Sequence, residues 1–425
     1  MQIEGIGLSV IWYVILLWLL LKHKGAFSNT HIALLFTAKI AGTFALQWLF
    51  TYYYTERSTA DIYRFFDDGI MLNEVFFTNP YDYLKILSNT YSDDSGFNAL
   101  YFEKMNAWIK PDDSAFYNDN RFMIKVNSLL AFISFGYYEI HGIIFSALSF
   151  IGTKWCVESL IKERNNQDFA LSAAILFPSS LLWMSGGLKE AVLMFGIGAF
   201  LKVNFVHFRF SLKSIILSCL AVLILISVKI YFIAALIPAY FAFTIVYKSR
   251  SNYRVQAAVW AAIIIAGISF SHFIGFDLAE YTVRKQHDFL NHVQVISPGS
   301  AFEMTYLKDG YLSILASVPQ SFANVLFRPY IYEVKTMPEV LMLFENVIIS
   351  IFLVLSIMHI IRAGKLSKNQ TLIILFILPI LILTGLVTPV FGAIMRYRAP
   401  AIVLLLITMS PYIQPFLRRI NHSRQ

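Results

Sequence analysis

The sequence predicts an all-α, polytopic transmembrane helix bundle, and composition, apolar run length and the placement of charge all point there. Of 425 residues, 57% are apolar and 14% are charged, and mean hydropathy is +0.62. A soluble globular chain is nearer half apolar and a quarter charged. At about 20 apolar residues per crossing, this chain has room for roughly ten spans. Phe (38) and Tyr (23) are abundant, as lipid contact and interfacial belts require.

Apolar runs fall at 5–21, 31–53, 138–160, 168–185, 188–205, 213–228, 230–247, 255–274, 340–361, 369–388 and 399–415, about eleven spans with no internal repeat. The first run, Ile6 to Leu21, has the length of a signal peptide. It lacks a basic leader and a small-residue cleavage site, so it reads as a retained first helix. A shorter piece, about 122–135, is placed at the interface or as a re-entrant segment. Residues 1–425 read as one membrane domain of a multi-pass inner (plasma) membrane protein.

Lysine and arginine in short loops set orientation. Clusters follow the first span (Lys22, Lys24), the third (Lys162, Arg164), the fifth (Arg209, Lys213), the seventh (Lys248, Arg250, Arg254) and the ninth (Arg362, Lys365, Lys368), and Arg418, Arg419 and Arg424 end the chain. With eleven spans and an outward N-terminus, all six clusters are cytoplasmic. Two long loops, 54–121 and 275–339, then face outward. The first carries twelve acidic residues against six basic ones, and its aromatics predict short helices on the membrane surface.

Cys156 and Cys219 both lie in apolar runs, and neither a CxxC pair nor a zinc-type His/Cys cluster occurs. The net charge of +8 is spread over cytoplasmic loops, so nucleic acid is not an expected partner. No Walker motif and no GxGxxG after a strand is present, and the nine histidines show no HExxH or paired spacing.

Three polar features could carry chemistry. The densest is Ser58-Thr-Ala-Asp61-Ile-Tyr63-Arg64-Phe-Phe-Asp67-Asp68-Gly69. As a helix over 58–69 it places Asp61, Arg64 and Asp68 on one face and Asp67 off it. Two carboxylates and an arginine on one stripe could bind a divalent cation, abstract a proton or hold a phosphate group. The structural alternative is that Ser58-x-x-Asp61 is a capping box and the stripe a solvated face. The second feature runs from Phe177-Pro-Ser-Ser through Trp183 and Gly186-Gly187 to Lys189-Glu190. Pro178 and the glycine pair break the helix, and Lys189 and Glu190 open the next span, where charge is costly. Adjacent residues point apart, so each needs its own partner; a snorkelling Lys and a Glu at a helix N-terminus are the structural alternative. The third is Pro389 through Arg396-Tyr-Arg398-Ala-Pro400, with arginines suited to bidentate phosphate binding or to headgroup anchoring. Arg328-Pro-Tyr330 is a similar case, and Lys229 beside Tyr231 a weaker one.

This layout resembles the GT-C superfamily of membrane glycosyltransferases. The resemblance is carried by Asp61-Ile-Tyr63 with Gly69, by Phe177-Pro-Ser-Ser to Lys189-Glu190, and by Arg396-Tyr-Arg-Ala-Pro400. It covers the arrangement of the chain and about 40 residues of motif, and this chain has two spans, not one, before the acidic loop. It implies transfer of a sugar from a polyprenyl-phosphate-linked donor to a glycan or lipid-linked acceptor at the extracytoplasmic face, with no nucleotide domain needed. Asp61, then Asp68, would be the catalytic carboxylate; Arg64, Asp67, Lys189, Glu190, Arg328, Arg396 and Arg398 would bind substrate, and a divalent cation could assist. O-antigen polymerases share the span count and outward arginines and are the nearest competitor. A transporter or flippase would instead place charge at mid-span and use inverted repeats; a structural partner in envelope assembly is the third class.

Overall fold

The computed structural model describes residues 3–92, 94–109, 118–206, 211–247, 252–363 and 366–422. Among them are eighteen α-helices and no β-structure beyond one isolated bridge, Ala301 with Val390. In chain order the helices are α1 (Ile3–Lys22), α2 (Asn29–Trp48), α3 (Asp61–Thr78), α4 (Pro80–Ser88), α5 (Ser95–Tyr101), α6 (Asp119–Ser134), α7 (Tyr138–Leu160), α8 (Arg164–Leu176) and α9 (Pro178–Trp183). There follow α10 (Lys189–Leu201), α11 (Leu212–Val228), α12 (Ile230–Tyr247), α13 (Tyr253–Phe273), α14 (Leu278–Ile296), α15 (Tyr311–Leu326), α16 (Met337–Ala363), α17 (Lys368–Val387) and α18 (Phe391–His422).

Among the described residues, eight stretches are long and apolar enough to cross a membrane: Gly5–Lys22, Asn29–Tyr53, Tyr138–Leu160, Ile230–Tyr247, Tyr253–Phe273, Met337–Arg362, Lys368–Val387 and Phe391–Gln414. The chain is a polytopic membrane protein. The other three predicted spans form shorter helices. Residues 168–185 become α8 and α9, separated where Phe177 turns extended before Pro178, a residue that disfavours helix in its predecessor. Residues 188–205 become α10 continued by a π turn over Lys202–Val206, and α11 is 17 residues long. Of the predicted basic clusters, Arg209, Lys248, Arg250, Lys365 and Arg424 lie outside the described residues, as do Asp93, Asp112 and Asp113 of the first loop.

The first loop holds α3, α4 and α5, and the second holds α14, α15 and a 3₁₀ turn at Ile331–Glu333. The expected capping box at Ser58 does not form. Residues 56–60 instead make a turn in which the Thr59 and Ala60 N–H groups donate to the Glu56 carbonyl. Ala60 is then the residue that opens α3, with no side-chain cap. The helix starts at Asp61 and runs well past the expected end to Thr78, because the apolar face of 70–77 continues its period.

The chain divides into two compact units: Met1–Trp155 with Leu181–Ile230, and Cys156–Ser180 with Tyr231–Gln425. In the first, α3 packs along α6, and α10 packs on α11. Gly69 permits the α3–α6 approach, since a Cβ there would stand 2.6 Å from the Cβ of Asn127. Gly152 on α7 and Gly198 on α10 bring two backbones together in the same way: a Cβ on Gly198 would lie 2.2 Å from the Gly152 carbonyl oxygen. Small residues at a crossing are how helices associate tightly in lipid. In the second unit, α17 packs against α13, α14, α15 and α18, while α18 also packs on α8 and α16.

Candidate functional site

In the first unit the α3 stripe forms as the sequence spacing predicts. Asp61 and Arg64 are an i,i+3 pair, 3.6 Å apart, each with a side chain 27% exposed. Arg64 also donates through Nη2 to the Asn106 carbonyl at 3.0 Å. One turn on, Asp68 is fully buried. Its carboxylate accepts the backbone N–H groups of Asn106 (2.8 Å) and Ala107 (2.7 Å). Burial pushes its carboxyl up from the ordinary aspartate range, against the opposing pull of those two N–H groups and of Arg64. Asp68 therefore staples the 106–108 segment onto α3. Asp67, off the stripe, takes a bidentate pair from Arg57 at 2.9 and 2.6 Å.

The same segment receives the second sequence motif. Asn120 donates to the Ala107 carbonyl at 3.2 Å and accepts from the Lys189 ammonium at 2.6 Å. Lys189 also pairs with Asp119 at 2.5 Å and stands 5.1 Å from the centre of the Phe65 ring. Glu190, fully buried, turns the other way and pairs with Lys229 at 2.8 Å. Adjacent charges at the start of α10 thus have separate partners. Asp61, Arg64, Asp68 and Lys189, far apart in sequence, belong to one connected polar network within this unit.

Beside α3 the first unit contains a cleft of about 750 Å³. Phe44, Gln47, Trp48, Thr51 and Tyr52 line it from the end of the second span, where α2 closes in a π turn over Leu49–Tyr53. Such turns recur at functional sites. Arg57 lines it from the turn before α3, Tyr63 and Phe66 from the start of α3, and residues 135–139 from the turn into α7. Two opposite charges face it. Arg57 lies 4.1 Å from the centre of the Tyr63 ring. Glu139 is buried and accepts from Gln47 Nε2 at 3.0 Å. Tyr63 and Thr51 share a hydroxyl–hydroxyl bond of 2.5 Å. Behind the cleft, His141 links Asn127 (2.7 Å) and Ser134 (2.6 Å), fixing the last turn of α6. Asp61, Asp68 and Lys189 do not line this cleft.

The second unit holds the remaining predicted residues. Arg398 is wholly buried and bonds to Glu345, 3.1 Å away and equally buried, and to the Val325 carbonyl. Glu345 also takes the Ser179 hydroxyl at 2.5 Å and the Ser179 N–H. Two sequence motifs, Phe177-Pro-Ser-Ser and Arg396-Tyr-Arg398, therefore meet on Glu345. Contact of Arg398 with a phosphate would require breaking this pair. Arg328 holds Glu333 through several bonds, donates to the Asn324 side chain and the Glu303 carbonyl, and stands 4.4 Å from the centre of the Phe302 ring. Burial works the other way, yet the Arg328 guanidinium and the Tyr330 N–H hold the Glu333 carboxyl below the usual range. Arg396 is half-buried, 6.0 Å from the centre of the Tyr397 ring.

Among the described residues no three His, Cys, Asp or Glu side chains gather as a metal site. Arg57, Gln47, Asp119, Glu139 and Glu345 belong to none of the three polar sequence features. Glu345 carried a signal: an acid inside the apolar run 340–361 demands a cation, and Arg398 is one. The cleft carried none, since its walls come from separate segments. No family model, no curated protein and no solved structure matches the chain.

Proposed function

We propose that this protein is a membrane glycosyltransferase that moves a sugar from a polyprenyl-phosphate-linked donor to a glycan or lipid-linked acceptor at the extracytoplasmic face of the plasma membrane. The observation that carries this reading is the α3 stripe: an accessible carboxylate, Asp61, stands beside a cation, Arg64, on a helix stapled in place by Asp68. Transfer from a lipid phosphate needs a group to take the acceptor's proton and a positive charge where the leaving phosphate develops its own. Asp61 would accept the hydroxyl proton as the acceptor oxygen bonds to the anomeric carbon. The bond from that carbon to the phosphate oxygen breaks, and the lipid phosphate leaves toward Arg64. Lys189 is committed to Asp119 and Asn120, so its part is to hold the 106–108 segment through Asn120. The outward orientation of the 54–121 loop rests on the basic residues at the far ends of the spans on either side of it, Lys22 and Lys24 after the first span and Lys162 and Arg164 after the third.

The test is complementation of a strain lacking the protein, with surface glycan per cell as the readout. Asp61→Asn should lower product by at least about 100-fold, the usual scale for a general base, with membrane level unchanged. Arg64→Lys, which keeps charge but not the fork, should lower it less. Full product from Asp61→Asn at normal protein level would remove the catalytic role from Asp61.

A further inference from the structure

The cleft of the first unit has an unmet requirement. Gln47 spends its Nε2 on Glu139, and its Oε1 is buried without a hydrogen-bond partner among the described residues. That acceptor takes its hydrogen bond from whatever occupies the cleft, so an occupant that brings an N–H or O–H donor is favoured over one that does not. Glu139 beside it is a buried carboxylate that accepts from the neutral Gln47 amide. The occupant should therefore be a cation with N–H groups, at the end that reaches this floor. Tyr63, Phe66 and Tyr138 line the same space, and aromatic faces attract cations.

The other charge in the cleft is of the opposite kind. The Arg57 side chain is 55% exposed, and its guanidinium is a fork matched to a phosphate as well as to the Asp67 carboxylate it now holds. The cleft is bounded by the last turns of one membrane span, Asn29–Tyr53, and the first turn of another, Tyr138–Leu160. That is the depth of the lipid headgroups, where aromatic residues gather. Trp48, Tyr52 and Phe135 at its edge are 59%, 68% and 73% exposed, as contact with the upper part of acyl chains would have it.

We infer that this cleft binds a phospholipid whose headgroup is phosphoethanolamine, with the primary ammonium on Glu139 and Gln47 and the phosphate on Arg57. Choline offers no N–H to Gln47 Oε1. Phosphatidylglycerol offers no cation to Glu139. The inference uses neither Asp61 nor Arg64 and is read by lipid binding, so it stands or falls apart from the transferase reading.

The experiment is native mass spectrometry of the full chain in detergent with equimolar phosphatidylethanolamine, phosphatidylglycerol and phosphatidylcholine. Phosphatidylethanolamine adducts should exceed each of the others by about threefold or more, a difference of roughly 0.65 kcal/mol. Glu139→Gln and Gln47→Leu should each erase that preference, whereas Arg57→Gln should weaken all three adducts. Excess soluble phosphoethanolamine should leave the adduct in place, because the acyl chains contribute to binding. Equal retention of phosphatidylglycerol and phosphatidylethanolamine by the wild type overturns the inference. So does a preference that persists in both Glu139→Gln and Gln47→Leu, or an adduct displaced by the soluble headgroup.

Discussion

The exposed ion pairs around the start of α3 in the first unit and the enclosed pair of the second use charge in opposite ways. In the first, Asp61–Arg64 and Arg57–Asp67 keep 25–55% of their side-chain surface exposed and can exchange partners at modest cost. In the second, Glu345–Arg398 is wholly enclosed, and Glu345 also accepts the Ser179 hydroxyl and N–H from within the unit. Desolvating two ions costs several kcal/mol each, and only good geometry and added hydrogen bonds offset it. Such a pair is a fixture. An arginine near the end of a late span looks like a ligand-binding residue in sequence, yet burial decides whether it is available to a ligand.

The largest effect should come from breaking the fixture. Arg398→Leu leaves the Glu345 carboxylate buried without its cation, and removing one partner of such a pair costs about 3–5 kcal/mol. Thermal unfolding of the purified protein in detergent should show it as a drop in midpoint. Restoring neutrality in Glu345→Leu with Arg398→Leu should recover most of the loss, and a double variant as unstable as the single one would contradict the assignment.

Asp68→Asn should cost less, about 1.5–3 kcal/mol, the scale for hydrogen bonds to a charged group. The change should be local, with faster hydrogen exchange over 94–109 and little over the second unit. Because burial raises the Asp68 carboxyl pKa, the folded state holds that proton more tightly than the unfolded one. Its contribution to stability is therefore fully present below the ordinary aspartate pKa and falls as pH rises through the raised value. Asp68→Asn should remove that pH dependence.

The smallest effect is at Lys125, half-buried on α6, where burial first and then Arg121 lower the ammonium pKa to about 8. The unfolded chain keeps that proton until about 10.4, so it binds more protons than the fold between those values. Wild-type stability should rise from pH 8 toward pH 10 relative to Lys125→Met. A flat difference between the two across that window would show that Lys125 is not desolvated.

Much of this was legible beforehand. Apolar run length located the eight long spans, because a membrane imposes one length on every crossing. The i, i+3, i+7 spacing placed Asp61, Arg64 and Asp68 on one stripe, and adjacency required Lys189 and Glu190 to find different partners. What was not legible depends on packing. Ser58-x-x-Asp61 has the letters of a capping box, but the 56–60 turn moves the helix start past it. Asp68 looked as available as Asp61 until the 106–108 segment folded over it. Arg57, Gln47 and Glu139 share a cleft only because two spans and α3 end together, which no local pattern encodes.

The glycine contact between α7 and α10 has a mechanical meaning. With Gly152 and Gly198 in backbone contact, the two helices cannot slide along one another without driving a carbonyl into a Cα. The first turn of α7 carries Tyr138 and Glu139, in the wall of the cleft, and the first turn of α10 carries Lys189, tied to the 106–108 segment through Asn120. The seam thus links the helix that walls the cleft to the helix that holds the polar network on α3 through one close backbone contact, and any side chain larger than hydrogen at Gly152 or Gly198 would force the two helices apart.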